Sequence, residues 1–131
     1  MATIKDIYQT ADWKTEKHVP VIEAPDAVKK GALITLTVSV GKEIAHPNTT
    51  EHHIAGIEVY FLPEGEKFPY QIAKTEFTAH GASVQGPNTS TVFTHPSVVL
   101  TMKTDKPGTL MAASWCNIHG LWESAKKISV Q

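Results

Sequence analysis

The stretch Ile34-Thr35-Leu36-Thr37-Val38-Ser39-Val40 alternates apolar and hydroxylated side chains without interruption. Because successive side chains of a strand point to opposite faces, this pattern predicts a β-strand with one buried and one polar face. Further runs rich in β-branched and aromatic residues follow at 54–62, 70–78, 90–94, 98–104, 110–115 and 124–130. Turn residues separate them, and no segment carries an apolar stripe of helical period. The sequence therefore predicts an all-β fold, an immunoglobulin-like antiparallel β-sandwich or barrel of about seven strands.

The length and composition bound the rest of the organisation. A chain of 131 residues is typical of one domain, and we expect a single domain over 1–131. Residues 1–30 carry Pro20, Pro25 and charges in place of alternation, so they are predicted to form an irregular segment laid over the sandwich.

Charge and cysteine usage exclude several classes of partner. The 12 basic and 13 acidic residues are spread along the chain, so nucleic acid is not an expected partner. No apolar run is long enough to cross a membrane, and the first thirty residues contain no long apolar stretch behind a basic start, so secretion is not expected. With one cysteine and no internal disulfide possible, the expected compartment is the reducing cytoplasm.

Three short segments concentrate the residues that carry chemistry: Glu16-Lys17-His18, His46-Pro47-Asn48-Thr49-Thr50-Glu51-His52-His53 and Cys116-Asn117-Ile118-His119. A lone histidine is more often a hydrogen-bonded surface or core residue than a ligand, but clustering with a thiol reverses that reading. Such a set predicts iron, copper or zinc in a mixed nitrogen and sulfur shell. The polar cap at Asn48 followed by Glu51 predicts a helical turn that folds His46 and His52 towards one centre.

These three segments, in this order, resemble the signatures of superoxide reductases of the one-iron, neelaredoxin type, the iron-binding domain of the desulfoferrodoxin family. The likeness runs from about Asp12 to the carboxyl terminus and includes 61–65 and 77–81. It implies one mononuclear iron bound by four histidines and one thiolate, with a carboxylate as sixth ligand in the ferric state only. The implied ligands are His18, His46, His52, His119 and Cys116, with Glu16 as the ferric-state ligand.

The resemblance also implies an activity and its partners. Superoxide would be reduced to hydrogen peroxide while the iron alternates between Fe2+ and Fe3+, with electrons from a rubredoxin-like donor. A cytoplasmic homotetramer is the family expectation. A second iron centre of the four-cysteine type is excluded, because Cys116 is the only cysteine.

Two catalytic roles are assigned next to His18. Lys17 is expected to attract the anionic substrate at the mouth of the site, which requires an irregular loop rather than an ideal strand. Glu16 shares the parity of His18 along an extended segment and can face the same metal.

The other histidines and the residues around the cysteine receive structural roles. Adjacent side chains diverge, so only one of His52 and His53 should reach the metal; the residues alone leave the choice open and the resemblance favours His52. His80 is expected to be a hydrogen-bonded core or turn residue and His95 a surface residue. The backbone N–H groups of Asn117 and Ile118 are expected to bond the thiolate, and Trp115 and Trp122 to pack around it.

Two other classes fit part of the pattern. A blue-copper-like electron-transfer protein is also a β-sandwich with a late cysteine and histidine, but its usual methionine after the histidine is missing here, since Met102 and Met111 precede Cys116. A metal-free immunoglobulin-like interaction module would make the histidines incidental. Metal content separates the three.

Overall fold

The computed structural model describes residues 1–131 and is built almost entirely of β-strands. One short helix, α1 (Ile4–Ile7), precedes eight strands. The strands are β1 (Pro20–Glu23), β2 (Ala27–Val28), β3 (Ile34–Val40), β4 (Ile54–Pro63), β5 (Tyr70–Glu76), β6 (Ser97–Met102), β7 (Gly108–Cys116) and β8 (Gly120–Val130). The all-β prediction is confirmed. With four residues, α1 is far too short to cross a membrane.

The strands form two sheets that enclose the core. One sheet has the order β1-β3-β6 and the other β2-β8-β7-β4-β5. Every pair of neighbours is antiparallel except β2 and β8. The alternation of β3 works as predicted, since Ile34, Leu36, Val38 and Val40 are all buried in the apolar core. They meet the inward side chains of β4 and β7, including Ile57, Val59 and Leu110.

The segment 1–30 is more regular than predicted, because it contains α1, β1 and β2. Pro20 opens β1, and β1 is an edge strand that pairs with β3 from Pro20 opposite Val40 to Glu23 opposite Thr37. Proline is tolerated at the first position of an edge strand, where its missing N–H breaks no ladder. The prolines therefore bound a strand here instead of excluding one.

The predicted strand at 90–94 is wrong. Val92 and Phe93 are both exposed, so no face of this segment contributes to the core. Its backbone bonds instead to the 79–81 loop: Ser90 N–H donates to the Gly81 carbonyl, Thr94 N–H donates to the Ala79 carbonyl, and a single bridge joins Phe93 to His80. β-branched composition without an inward-facing partner does not make a sheet strand.

The strand ends bring the three chemistry-bearing segments to one end of the sandwich. Pro20 at the start of β1 lies opposite Val40 at the end of β3. Ile54 at the start of β4 lies opposite Cys116 at the end of β7. The segments before β1, between β3 and β4, and between β7 and β8 therefore converge there.

Candidate metal centre

Four side chains from three segments meet at this end of the sandwich. One ligand atom from each of His18, His52, Cys116 and His119 lies within 4.8 Å of the others. His119 is central: its Nδ1 is 3.2 Å from His18 Nε2, 3.2 Å from His52 Nε2 and 3.8 Å from Cys116 Sγ. Three ring nitrogens and a sulfur so close together are typical of atoms that converge on one cation.

His46 completes a ring of four imidazoles. Its ring centroid is 4.8 Å from that of His18 and 4.8 Å from that of His52. His119 lies 4.7 Å from His18 and 4.9 Å from His52, while His18 and His52 are 6.4 Å apart. Four nearly equal distances between neighbours and a longer one between His18 and His52 show that the four rings form a closed ring.

One orphaned atom tests whether this site suits a metal. Among buried side-chain nitrogen and oxygen atoms, only His46 Nε2 has no hydrogen-bond partner. Its other ring nitrogen, Nδ1, is 2.6 Å from the Pro47 carbonyl oxygen, which fixes the N–H there and leaves Nε2 as a bare lone pair. A buried unpaired acceptor is costly, and a bound cation would satisfy it. Four imidazole nitrogens and one thiolate are a donor set that iron accepts.

Hydrogen bonds on the far side of the rings aim these nitrogens inward. His18 Nδ1 lies 2.6 Å from Glu16 Oε1, so the carboxylate accepts the N–H and Nε2 is left to face the cluster. The same oxygen accepts the His18 backbone N–H at 2.7 Å. Partners of this kind set the tautomer and ring orientation of metal-binding histidines.

Cys116 is buried at the closed side of the group. Its Sγ accepts a hydrogen bond from the His119 backbone N–H at 3.3 Å. The expectation that the Asn117 N–H bonds the thiolate is wrong, because that N–H donates to the His53 carbonyl. The chain must pass through Asn117 and Ile118 before it turns far enough to aim an amide back at the sulfur.

Two of the imidazoles, those of His46 and His52, are kept neutral by their surroundings. Burial lowers the pKa of His46 to about 4, with further lowering from the charges of His18, His52 and Lys17 and partial opposition from the Pro47 carbonyl. Burial also lowers the pKa of His52, followed by repulsion from His119, His18 and Lys17. Near neutral pH both rings are therefore unprotonated, as metal ligands must be.

Glu16 and Lys17 lie in an irregular stretch just before β1, as the role of Lys17 requires. Burial acts to raise the pKa of Glu16, but hydrogen bonds from the side chain and backbone of His18 outweigh it and lower that pKa. The carboxylate is thus held on His18 in this structure. The Lys17 ammonium group is in none of the ion pairs of the structure, and its charge acts on both His46 and His52.

The remaining histidines lie outside the cluster. His53 Nδ1 is 2.9 Å from the Thr49 carbonyl oxygen, and its ring stacks on His80 with centroids 3.6 Å apart. His80 is buried, with its ring nitrogens 2.9 Å from Asn48 Oδ1 and 2.6 Å from the Phe77 carbonyl oxygen. His95 is exposed. The structural roles expected for His80 and His95 match these positions.

The segment between His46 and His52 contains no helical turn, contrary to the capping pattern. Thr49 closes a tight turn instead: its Oγ1 accepts the His52 N–H at 3.0 Å, and its own N–H donates to the His52 carbonyl at 2.9 Å. Threonine hydroxyls compete with helical bonding in this way. The turn still brings the two rings together.

The two tryptophans differ from one another. Trp122 stacks on His18, with ring centroids 5.0 Å apart, and its Nε1–H donates to the His119 carbonyl at 3.1 Å. Trp115 is 55% exposed, so the packing predicted for it is wrong. Ser114, which sequence reasoning missed, donates its hydroxyl to the His18 carbonyl at 2.9 Å. Ser114 lies two residues before Cys116 on β7, so its side chain points to the same buried face as the cysteine. That position in the sequence could have indicated a role near the site.

The four-imidazole group excludes one of the alternative classes. A blue-copper centre uses two histidines with its cysteine, whereas four imidazole rings cluster here and three of them place a ring nitrogen within 4.8 Å of the Cys116 sulfur.

Comparisons with known proteins agree with this geometry. The family model for desulfoferrodoxin matches residues 10–125. The chain is 58% identical to a neelaredoxin from Megalodesulfovibrio gigas over 96% of this chain and 97% of that protein. It is 60% identical to a superoxide reductase from Pyrococcus furiosus, over 92% of this chain and 95% of that one. The solved structure of a superoxide reductase (neelaredoxin) from Archaeoglobus fulgidus in the reduced form matches with a TM-score of 0.87 and 59% identity, over 94% of this chain and 98% of that chain.

Proposed function

The chain belongs to the desulfoferrodoxin family, and from that premise we propose that it is a superoxide reductase with one iron per chain. The observation that carries the proposal is the ring of four imidazoles beside one buried thiol, with His46 Nε2 left without a partner. The proposed ligands are His18, His46, His52, His119 and Cys116.

The iron, when bound, supplies a one-electron couple between Fe2+ and Fe3+. The overall reaction adds one electron and two protons to superoxide and yields hydrogen peroxide, without the dioxygen that a dismutase also makes. The Cys116 thiolate would supply negative charge to the metal, and the His119 N–H, which donates to the sulfur, would temper that charge.

Lys17 is proposed to guide superoxide to the site. Its ammonium group has no anionic partner among the ion pairs of the structure, and its charge is felt at His46 and His52. An unpaired cation at the mouth of a site attracts an anion and raises its association rate by about 10 to 1,000-fold in strongly steered systems.

Glu16 is proposed to occupy two positions. In one, seen here, it accepts both N–H groups of His18. In the other, its carboxylate would bind the iron when the iron is ferric. The residue lies two positions from His18 in an irregular stretch, which gives the backbone freedom for this exchange.

The electron donor and assembly are further parts of the proposal. A small rubredoxin-like protein would deliver electrons where apolar side chains lie open beside the cysteine loop; Trp115 and Ile118 are 55% and 57% exposed there. We place the chain in the cytoplasm as a homotetramer that removes superoxide under oxidative stress. The unpaired Cys116 suits a reducing compartment.

Anaerobic purification followed by metal analysis and a superoxide assay tests the function. We expect one iron per chain, and hydrogen peroxide produced without dioxygen when an electron donor is present. The matched variant Cys116→Ser should keep the sandwich fold but lose both the thiolate-to-ferric visible absorption and nearly all superoxide reduction. Stoichiometric copper or no metal would contradict the proposal, and so would dioxygen released in equal amount to peroxide.

A further inference from the structure

We propose that Asn117 is a positioning residue that fixes the distance between the cysteine loop (116–119) and the histidine loop (46–53). The inference rests on the proposed function only in that both loops hold the same metal. Asn117 itself does not reach the cluster, and it is exposed at the surface.

Three hydrogen bonds join Asn117 to one short segment of the opposite loop. Its backbone N–H donates to the His53 carbonyl at 3.2 Å. Its Oδ1 accepts the His53 backbone N–H at 2.9 Å, and its Nδ2 donates to the Glu51 carbonyl at 2.9 Å. The side chain thus bonds on both sides of His52, and its own chain neighbour is Cys116.

These bonds continue the β4–β7 ladder beyond the point where the strands end. Ile54 lies opposite Cys116 in the last pair, and a register irregularity follows within β4. An ordinary next pair would require a main-chain carbonyl to accept the His53 N–H. Because the Asn117 side chain accepts that N–H instead, the backbone after Asn117 is free to turn and bring His119 back to the thiol.

The consequence is a fixed spacing between sulfur and nitrogen ligands. Cys116 precedes Asn117 in the chain, and His52 lies between Glu51 and His53, the two residues that Asn117 bonds. His52 Nε2 in turn lies 3.2 Å from His119 Nδ1. Without the two side-chain bonds of Asn117, only the backbone bond from Asn117 N–H to the His53 carbonyl and the end of the β4–β7 ladder join the two loops within the protein. The metal–thiolate bond would then lengthen or vary, and affinity and spectrum would both change.

Asn88 provides a matched control. It bonds the same histidine loop, with its Oδ1 accepting the Thr50 N–H at 2.9 Å and its Nδ2 donating to the Glu51 carboxylate at 2.8 Å. It is likewise exposed, its own N–H donates to Thr50 Oγ1 at 3.1 Å, and it forms no hydrogen bond to the cysteine loop. Its φ of 57° suits glycine, so Asn88→Gly removes the side-chain bonds without backbone strain.

Titration of the iron-free full chain with Co2+ tests the inference, because the thiolate-to-cobalt absorption reports the sulfur bond without any superoxide chemistry. Asn117→Ala should bind Co2+ about 10-fold more weakly, the lower range of effect for partners behind metal ligands, and should shift the thiolate band. Asn117→Asp keeps the acceptor for the His53 N–H and loses the donor to Glu51, so it should fall between wild type and Asn117→Ala. Asn88→Gly should match wild type.

Circular dichroism of each iron-free variant checks that the fold is kept, and Asn117→Asp carries the test if Asn117→Ala does not fold. Wild-type affinity and band position in the Asn117 variants would overturn the inference. An equal change in Asn88→Gly would also overturn it, because it would make the effect one of general loop support. A chain that shows the expected Co2+ results but does not reduce superoxide would refute the proposed function and leave this inference standing.

Discussion

At the scale of single residues, two adjacent histidines have opposite surroundings. His52 Nε2 lies 3.2 Å from His119 Nδ1 in the cluster. His53 turns the other way, bonds the Thr49 carbonyl through Nδ1 and stacks on His80. Side-chain alternation explains the divergence, and neighbours on each side hold it.

The pair gives the first prediction. Replacing His52 with alanine removes a proposed ligand, so iron content after purification should fall by at least about 10-fold relative to wild type. Replacing His53 with alanine removes only a stacked ring and one hydrogen bond, so iron content should stay near wild type. Metal analysis of both variants at equal protein concentration decides the matter, and the reverse ranking would exchange their roles.

Lys17 gives the second prediction. If its charge draws superoxide to the site, Lys17→Met should slow the second-order reaction of the reduced protein with superoxide by about 10-fold or more, and should flatten its dependence on salt. Lys14→Met removes the same charge three residues away, where the ammonium group lies over Trp13, and should change little. Pulse radiolysis at two ionic strengths measures both. Equal rates and salt slopes for wild type and Lys17→Met would leave Lys17 without a steering role.

At the scale of elements, the turn after β3 ties the sandwich to a ligand loop. Gly41 has a φ of 89°, and a Cβ at this position would lie 2.7 Å from the His46 backbone nitrogen. Only glycine fits both the left-handed backbone and this close approach. The core strand β3 thereby sets where the loop that carries His46 begins.

This contact gives the third prediction. Gly41→Ala should lose about 1–2 kcal/mol from backbone strain and should also displace His46, so that iron retention falls. Gly65→Ala is the matched control: its φ is 80°, but nothing lies within 4 Å of the added Cβ. It should show the strain alone and keep its iron. Thermal unfolding of the iron-free forms and metal analysis of the loaded forms separate the two effects, and equal iron content in both variants would contradict the role given to Gly41.

The same scale shows what the sequence could and could not predict. The alternation at 34–40 predicted β3 to the residue, because a half-buried strand must repeat every two residues. Residues 90–94 are also rich in β-branched side chains, but none of their side chains faces the core. Whether a segment is buried depends on the distant segments that pack against it, and a short stretch of sequence does not show these. β1 was hidden for the converse reason: its partner β3 lies elsewhere in the chain, and its proline is harmless only at an edge.

In the site, too, the sequence predicted some residues and not others. Spacing of cysteine and histidines predicted a metal centre, and those side chains do converge. The residues behind them could not be read from spacing. Trp122 on His18, Ser114 on the His18 carbonyl and Asn117 across the two loops all act over long sequence separations, through hydrogen bonds and ring contacts that depend on register.

At the scale of the whole molecule, the core and the site are separate. The thirteen buried apolar residues of the core include Cys116, but the four histidines of the cluster lie in the loops at one end. Because none of the four histidines belongs to the apolar core, we expect the sandwich to fold without the metal. Stability of the iron-free chain should then be governed by the sandwich and by the protonation of the histidines that it buries.

That separation leads to the last prediction, a loss of stability of the iron-free chain in mild acid. Burial lowers the pKa of His46 to about 4, against 6.5 for an ordinary histidine, and also lowers those of His52 and His80. Between pH 6.5 and about 4 the unfolded chain therefore binds protons at His46 that the folded chain does not. The free energy of unfolding must fall as pH decreases through this window, with a slope of up to about 1.4 kcal/mol per pH unit for each such proton.

Protonation of carboxylates also lowers the free energy of unfolding as the pH falls, but it does so at lower pH than protonation of the histidines. The pKa values of Glu16 and Glu51 are lowered from 4.5, so their contribution is present above that value and is lost below it. Denaturant unfolding of the iron-free chain at pH 7.5, 6.5, 5.5 and 5.0, values chosen to stay above that range, isolates the histidines. His46→Asn cannot protonate there and should show a shallower slope, while His95→Asn, at an exposed histidine, should keep the wild-type slope. An unchanged slope in His46→Asn would mean that His46 is accessible to protons in the folded chain, and the neutral, metal-ready ring inferred from its burial would have to be abandoned.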